Sequence, residues 1–141
     1  MKIDDIDKNI LKELAKNSRL SMSELGRRVN LSSPSVAERV RQMESFGVIK
    51  KYTTMIDYTK LGFPIQCIIE VTVKNGDYNR FKNHIESYPN LELCYRIAGR
   101  ACYVLKMHFG SFSEIEDFIN TINPYATTVT HFIFSEVSPR L

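Results

Sequence analysis

The most constraining feature of the chain is a pair of short helical patterns separated by a tight turn, in residues 21–46. Ser21 and Glu24 have the S-x-x-E spacing of a capping box, which predicts that a helix begins there. Gly26 leaves room for a second helix to cross closely, and Asn30 tolerates the left-handed backbone that ends the first helix. The pattern predicts two helices joined by a turn.

The second helix is predicted to begin at Ser33, with Pro34 in the first helical position, where a missing amide hydrogen is not needed. Gly47 is predicted to end this helix. Its apolar residues recur at positions i, i+4 and i+7 and form one buried face, and they are Val36, Val40 and Met43. The polar residues that point outward or flank this face are Ser35, Glu38, Arg39, Arg41 and Gln42.

A helix of this size fits the DNA major groove, which is about 12 Å wide. The alternative is an ordinary helical hairpin with a solvated charged face. Charge favours DNA, because the stretch from Lys16 to Lys51 holds 8 Lys/Arg against 3 Asp/Glu, whereas residues 58–141 hold 8 against 8. One such module would bind weakly, so we expect paired half-sites and an affinity that falls with salt.

The flanking segments extend this unit. Residues 3–17 predict a preceding helix, with aspartates in its first turn, where the helix dipole favours them. After Gly47, residues 48–56 are rich in β-branched and aromatic side chains and predict a strand or wing, with Lys50 and Lys51 available to phosphates. Three helices and a wing predict a winged helix-turn-helix domain over residues 1–57.

The second half of the chain alternates between strand and helix patterns. Residues 58–63 are predicted to be a linker, because turn-prone residues and Pro64 interrupt the pattern. In residues 64–141, strands are predicted at 64–74, 91–98, 101–109 and 127–137, and helices at 77–88 and 111–123. The order β-α-β-β-α-β predicts a ferredoxin-like domain with two helices on one face of a four-stranded antiparallel sheet. The fold class is therefore α+β.

The uncovered face of this sheet is predicted to be partly apolar. Its apolar residues are predicted to be Ile68, Val104, Phe132 and Phe134. A sheet covered by helices on one side only should be polar on the other side. An apolar open face predicts burial against a second copy and a homodimer with two DNA-reading helices, although scattered surface apolar residues are the alternative.

The remaining composition argues against an enzyme. The three histidines and three cysteines lack the close spacing that builds a metal site or a nucleophile on one element, and no glycine-rich phosphate loop is present. We therefore expect no catalytic residue, metal or cofactor, and three buried free thiols. No apolar run reaches the roughly 18 residues of a membrane span, and no signal peptide is evident. We expect a cytoplasmic, nucleoid-associated protein.

Three segments carry a family resemblance. They are IDDIDKNILKEL (3–14), NSRLSMSELGRRVNLSSPSVAERVRQMESFGVIKKYT (17–53) and RIAGRACYVLKM (96–107). From Ile3 to about Val137 the chain resembles the Lrp/AsnC family of bacterial and archaeal transcriptional regulators, also called feast/famine regulatory proteins. Within that family it is most similar to the LrpC-like subgroup known from Bacillus.

The resemblance implies that the winged domain binds double-stranded DNA and that the C-terminal domain, called RAM, dimerises through its sheet. Family dimers often assemble into octamers that wrap DNA, and many members bind an amino acid between dimers. The resemblance also puts Ser33, Ser35, Arg39, Arg41 and Gln42 on the recognition helix. The complete set of candidate DNA contacts is Arg27, Arg28, Ser33, Ser35, Glu38, Arg39, Arg41, Gln42, Lys50 and Lys51.

The chain departs from the family at the candidate effector site. The family stretch reads G-D-x-D-Y, whereas the residues here are Gly99, Arg100, Ala101, Cys102 and Tyr103. Arg100 and Cys102 replace both acids, so the charge partner for an amino-acid ammonium group is missing. We expect this member to act without a ligand, or with an unusual one such as a carboxylate attracted by Arg100.

These observations predict a DNA-binding transcriptional regulator that binds paired sites as a dimer or higher oligomer. The alternative is a mainly architectural protein that wraps DNA with modest sequence specificity and has no amino-acid effector. A third class is a ferredoxin-like sensing module without DNA activity. Replacing Arg39 and Arg41 by alanine should abolish DNA retention and leave the oligomer intact, and unchanged retention would contradict DNA binding.

Overall fold

The computed structural model describes residues 2–137, so the predicted outer ends of both domains, at residues 1 and 141, lie outside the described residues. The chain forms two compact units, one ending at Met55 and one spanning Ile56–Val137. The first unit contains three helices: α1 (Asp5–Lys16), α2 (Met22–Val29) and α3 (Ser33–Ser45). Their order and the tight turn between the last two match the predicted helix-turn-helix.

The three helices share one apolar core. Its buried members are Ile10, Leu14, Leu25, Val36, Val40 and Met43. Full burial of one such aliphatic side chain stabilises a fold by roughly 1.5–3 kcal/mol. The predicted buried face of the second helix, which is α3, is therefore confirmed.

The helix caps differ from the prediction in two details. Ser21 accepts a hydrogen bond from the Glu24 amide, but the Glu24 carboxylate bonds to arginines of α2, so only half of the predicted capping box forms. The N-cap of α3 is Ser32 rather than Ser33, because the Ser32 hydroxyl accepts from the Ser35 amide. Pro34 is then the second helical residue, a position that also tolerates a missing amide hydrogen.

The predicted wing strand over residues 48–56 was wrong. The described part of the N-terminal unit, residues 2–55, contains helices only. The amides of Val48 and Ile49 both donate to the Met43 carbonyl, so this segment begins by closing the end of α3. Since a strand needs a paired neighbour to satisfy its backbone, β-propensity alone does not produce one here.

The second unit contains the predicted α+β arrangement. Its elements are β1 (Ile65–Val73), α4 (Tyr78–Ile85), β2 (Leu91–Arg96), β3 (Tyr103–Phe109), α5 (Phe112–Ile122) and β4 (Ala126–Phe132). The four strands pair antiparallel in the order β2-β3-β1-β4. A short 3-10 helix, Tyr58–Leu61, occupies most of the predicted linker. The predicted order of strands and helices is confirmed.

One face of the sheet packs on both helices. Alternate residues of β1 and β3 point into this core, including Cys67, Ile69, Val71, Leu105 and Met107, and they contact Phe81 and Ile85 of α4 and Ile115, Phe118 and Ile122 of α5. The two-residue period of a strand requires the intervening residues to lie on the opposite, open face. That face is the second surface of functional interest.

The last strand is shorter than predicted, and its Phe132 side chain lies on the opposite face of the sheet from the one predicted. It ends at Phe132 rather than at residue 137, although the Ile133 amide still donates to the Gln66 carbonyl. Phe132 pairs with core-facing Cys67 and packs edge-on against Phe112 of α5, so it lies on the helix side of the sheet. Phe134 lies beyond the strand and is fully exposed. The predicted placement of both phenylalanines on the open face was wrong.

Candidate nucleic-acid interface

The exposed side of α3 carries a compact polar network. Glu38 lies at its centre and accepts hydrogen bonds from the Arg41 guanidinium and from Gln42 Nε2, the latter at 2.9 Å. Ser35 lies one turn earlier, where its hydroxyl is 2.7 Å from that of Ser32. Helical spacing puts these residues on neighbouring turns opposite the buried valines. The network offers donors and acceptors on a convex helix surface.

Arg39 differs from the other polar residues of this helix. Its Nη1 lies 2.8 Å from Asp4 Oδ2 and 2.7 Å from Asp7 Oδ1, at the start of α1. The Asp7 side chain is only 2% exposed, whereas that of Arg39 is 30% exposed. The sequence pattern assigned the aspartates to the helix dipole and missed this partnership, which joins residues more than 30 positions apart.

The arginines of α2 are also paired. Arg27 binds the Glu24 carboxylate, and Arg28 bridges Glu24 and Glu13 of α1 with distances of 3.0 Å to each. These hydrogen bonds lower the pKa of Glu24, with Arg27 contributing most. The Arg27 side chain remains largely exposed. Exposed pairs of this kind exchange readily for other anions, since their net stabilisation is small.

The remaining candidates flank the two helices. Ser33 is the first residue of α3 and is half-buried. Lys50 and Lys51 are exposed, and among residues 2–137 neither has an ion-pair partner within 4 Å. The Tyr52 hydroxyl, which follows them, donates to Glu44 Oε1 at 2.8 Å. This bond tethers the segment after α3 to the end of that helix.

The open face of the sheet mixes apolar and charged side chains. Ile68 lies between Lys106 and His131, and Glu70 lies between Val104 and Val129 on the adjacent strands. The predicted position of Ile68 and Val104 on this face is confirmed by the register. Val129 and Tyr95, which the sequence argument did not name, add exposed apolar surface.

The candidate effector residues form the turn before β3 and the first residue of that strand. Arg100 is exposed and its Nη2 lies 3.4 Å from Glu70 Oε2, which also accepts from His131 Nε2 at 2.9 Å. The hydrogen bond to His131, followed by the charge of Arg100, lowers the pKa of Glu70. The neighbouring Cys102 sulfur lies 3.8 Å from the Tyr78 hydroxyl. Sequence reasoning missed Glu70, because strand pairing rather than sequence proximity brings it to this turn.

The other members of this turn differ in their exposure. Ala101 and Tyr103 are buried, whereas Gly99 is exposed and has a φ of 158°. The Arg96 guanidinium stacks 4.5 Å from the centre of the Tyr78 ring. The turn is therefore bordered by two cations and one paired carboxylate.

Family comparisons agree with both halves of the structure. The family model described as the AsnC-type helix-turn-helix domain matches residues 3–44, and the one described as the Lrp/AsnC ligand binding domain matches residues 66–141. The chain belongs to the Lrp/AsnC family. The resemblance inferred from the three sequence segments is therefore confirmed.

Individual relatives support the same assignment. The chain is 61% identical to the HTH-type transcriptional regulator LrpC of Bacillus subtilis over 140 residues, which cover 99% of this chain and 97% of that protein. It is 36% identical to LrpA of the same organism, with coverage of 88% and 92%. A solved structure of B. subtilis LrpC matches with a TM-score of 0.95 over 99% of this chain and 100% of that one, at 61% identity. The protein is a DNA-binding transcriptional regulator rather than an enzyme, as predicted.

In this Lrp/AsnC regulator, His108 and the three cysteines pack against other side chains of the second unit. Buried His108 stacks on Tyr58 with ring centres 3.7 Å apart, and its Nε2 lies 2.5 Å from Glu92 Oε2. The cysteines are free, but only Cys67 is fully buried, so the prediction of three buried thiols was wrong for Cys94 and Cys102. Within residues 2–137 the structure has no group of three ligands arranged for a metal ion, and no helix long and apolar enough to span a membrane.

Proposed function

We propose that this Lrp/AsnC regulator reads DNA with the exposed face of α3 in the major groove. The observation that carries the proposal is that α3 has one buried apolar face and one exposed polar face. Val36 and Val40 are buried against the other helices, while Arg41 and Gln42 stand on the free side. Arginine pairs with two acceptors of guanine, and glutamine pairs with adenine. Base contacts of this kind discriminate sequences by about 1–3 kcal/mol each.

Other candidates contact the phosphate backbone in this proposal. Arg27 and Arg28 lie on α2, which in a helix-turn-helix crosses the backbone beside the reading helix. Lys50 and Lys51 follow α3 and lie in solvent. Ser33, at the first turn of α3, has a hydroxyl suited to a phosphate oxygen. Because DNA is the partner, we expect the protein to act in the cytoplasm, on the nucleoid.

We further propose that the protein binds paired half-sites as a homodimer formed through the open sheet face. Tyr95, Val104 and Val129 follow one row across that face, and Tyr95 and Val129 are about half exposed or more. Burying this apolar surface against a second copy would favour association, and a two-fold axis would present two reading helices to two half-sites. Assembly of four dimers into an octamer is a further step in the same proposal.

Sedimentation of two variants tests the dimer. Val129→Lys puts a charge on the open face, whereas Thr121→Lys puts the same charge on exposed α5, on the helix side. We expect Val129→Lys to shift the protein toward monomer and Thr121→Lys to keep the wild-type oligomer. Equal behaviour of the two variants would contradict assembly through the open face.

We propose that control does not involve an amino acid at residues 99–103. The turn itself contains no acid, and the nearby Glu70 carboxylate already has Arg100 and His131 as partners. Both partners bind Glu70 Oε2, so an ammonium group would have to bind a carboxylate that already faces the Arg100 cation. The test is DNA footprinting with and without a pool of amino acids, and we expect the same footprint. A large change caused by the pool would contradict this part of the proposal.

The same footprints distinguish a sequence-specific regulator from an architectural protein. A regulator that reads bases through α3 should protect compact paired sites at physiological salt. An architectural protein should give long protection with hypersensitive positions about every helical turn, since wrapped DNA is exposed periodically. We expect compact sites, and long periodic protection on random genomic fragments would favour the architectural alternative.

A further inference from the structure

The first turn of α1 holds two carboxylates in a fixed arrangement. The Asp4 side chain accepts a hydrogen bond from the Asp7 amide at 2.8 Å, and the Asp7 side chain accepts one from the Asp4 amide at 3.1 Å. This reciprocal capping box turns one oxygen of each side chain toward Arg39. The hydrogen bond to the Asp7 backbone, followed by that to Arg39, lowers the pKa of Asp4. The three side chains form one cluster.

The cluster links the reading helix to a different helix. Arg39 lies between Glu38 and Val40, so it is on the same turn of α3 as the central residue of the exposed network and a core residue. A guanidinium that bridges two carboxylates restrains both rotation and sliding of its helix, because its donors have a fixed planar geometry. The apolar contacts of Val36 and Val40 are not directional in this way.

The charge balance of the cluster disfavours a phosphate contact by Arg39. One guanidinium faces two carboxylates, so the cluster carries a net charge of −1. The Asp7 carboxylate is almost completely buried, and withdrawing its arginine would leave a buried charge without its counter-ion. Breaking a buried pair in this way is strongly destabilising. A phosphate oxygen would have to compensate for that loss.

We propose that Arg39 is a positioning residue, which with Asp4 and Asp7 fixes the orientation of α3 on α1 and does not itself contact DNA. The inference rests on the proposed function, because it presumes that α3 is the reading helix. It removes Arg39 from the direct contacts expected from sequence and adds two acidic residues to the groups on which DNA binding depends.

The decisive variant is Asp7→Asn, compared with Asp5→Asn. Both replace an aspartate of the first turn of α1 by its neutral isostere, but the Asp5 side chain is exposed and, within residues 2–137, pairs only with Lys8. A positioning role predicts that Asp7→Asn weakens binding to a fixed DNA site by about tenfold, because the fraction of molecules with a correctly oriented α3 falls. Asp5→Asn should bind as the wild type does, or slightly tighter.

The opposite result would overturn the inference. If Arg39 contacted DNA, Asp7→Asn would release it from a competing carboxylate, and binding would stay the same or become tighter. Fluorescence anisotropy measures these affinities on full-length protein, at a temperature where circular dichroism shows each variant to be folded. Asp4→Asn, which removes the more exposed of the two carboxylates, serves as the second variant if Asp7→Asn does not fold.

Salt dependence provides an independent readout. Each phosphate contact contributes about −0.9 to the slope of log affinity against log salt. Arg39→Ala should therefore weaken binding without changing this slope, and Arg39→Lys should recover part of the loss by restoring the charge. A slope that flattens by about one unit in Arg39→Ala would overturn the inference. Loss of binding in Asp7→Asn alongside unchanged binding in Arg41→Ala would instead contradict the proposed reading face and, with it, the inference.

Discussion

Gly26 and Leu31 approach each other so closely that no side chain fits between them. A Cβ atom at position 26 would lie 2.6 Å from the Leu31 carbonyl oxygen, and the Leu31 amide donates to the Gly26 carbonyl at 2.8 Å. The contact closes the turn between α2 and α3. The sequence predicted that Gly26 makes room for a second helix, whereas in the structure it makes room for the backbone of the turn.

The Gly26→Ala substitution tests this contact because two effects have opposite signs. Alanine is a better helix former than glycine by about 1 kcal/mol, so helix propensity alone predicts stabilisation. The clash with backbone, which overpacking data put at about 1–3 kcal/mol or more, predicts net destabilisation. We expect a lower midpoint of thermal unfolding for the helical unit. Ser23→Ala, at an exposed position of the same helix, is the matched control and should not lower this midpoint. A Gly26→Ala protein more stable than the wild type would show that the turn can shift.

Glu38 is predicted to restrain binding to random DNA. Its carboxylate lies on the reading face, where it holds Arg41 and Gln42 and would face phosphates. Glu38→Gln removes this negative charge, so we expect severalfold tighter binding to random-sequence DNA at low salt. Glu86→Gln, an exposed change of the same charge beside Lys82, should have no effect. Weaker binding by Glu38→Gln would mean that the carboxylate chiefly holds Arg41 in its binding geometry.

Tyr52 is predicted to ionise late. Partial burial, followed by the hydrogen bond to Glu44, raises its pKa from 10.0 to about 12. Because the folded state favours the neutral phenol, the stabilisation from this group is fully present below pH 10 and is lost as the pH rises through about 12. The difference between the ultraviolet titrations of wild type and Tyr52→Phe isolates this group. A difference centred near pH 10 would contradict both the partial burial and the hydrogen bond, and Glu44→Gln should lower the midpoint.

Local signals made the helical half of the chain largely predictable. The left-handed Asn30, with a φ of 57°, and the buried spacing of Val36, Val40 and Met43 depend on neighbours within a few residues. The cap of α3 was displaced by one residue because Ser32 and Ser33 both suit an N-cap, and only the backbone distinguishes them. The order of elements in the second unit was also predictable from local signals, because turn residues separate its strands and helices.

Non-local pairing explains what the sequence did not reveal. The face on which Phe132 lies depends on register with β1, and a shift by one residue moves every side chain to the other face. The strand expected over residues 48–56 has no partner strand in the described residues, so its β-branched and aromatic composition did not produce a strand. The sequence pattern put Arg39 on the reading face because helical spacing does not show its carboxylate partners, which lie at the start of another helix. At the candidate site, the sequence predicted the helix and its polar residues, but the pairing of Arg39 with Asp4 and Asp7, and of Arg41 with Glu38, is visible only in the structure.

Whether α3 reads DNA is best tested by the affinity of Arg41→Ala for a footprinted site, measured across a range of salt concentrations. Lys82→Ala is its control, because it removes one exposed, ion-paired cation from the other unit. We expect Arg41→Ala to lose about 1–3 kcal/mol of specific binding and Lys82→Ala to bind as the wild type does. Equal affinities and equal salt slopes for the wild type and both variants would contradict a reading face on α3.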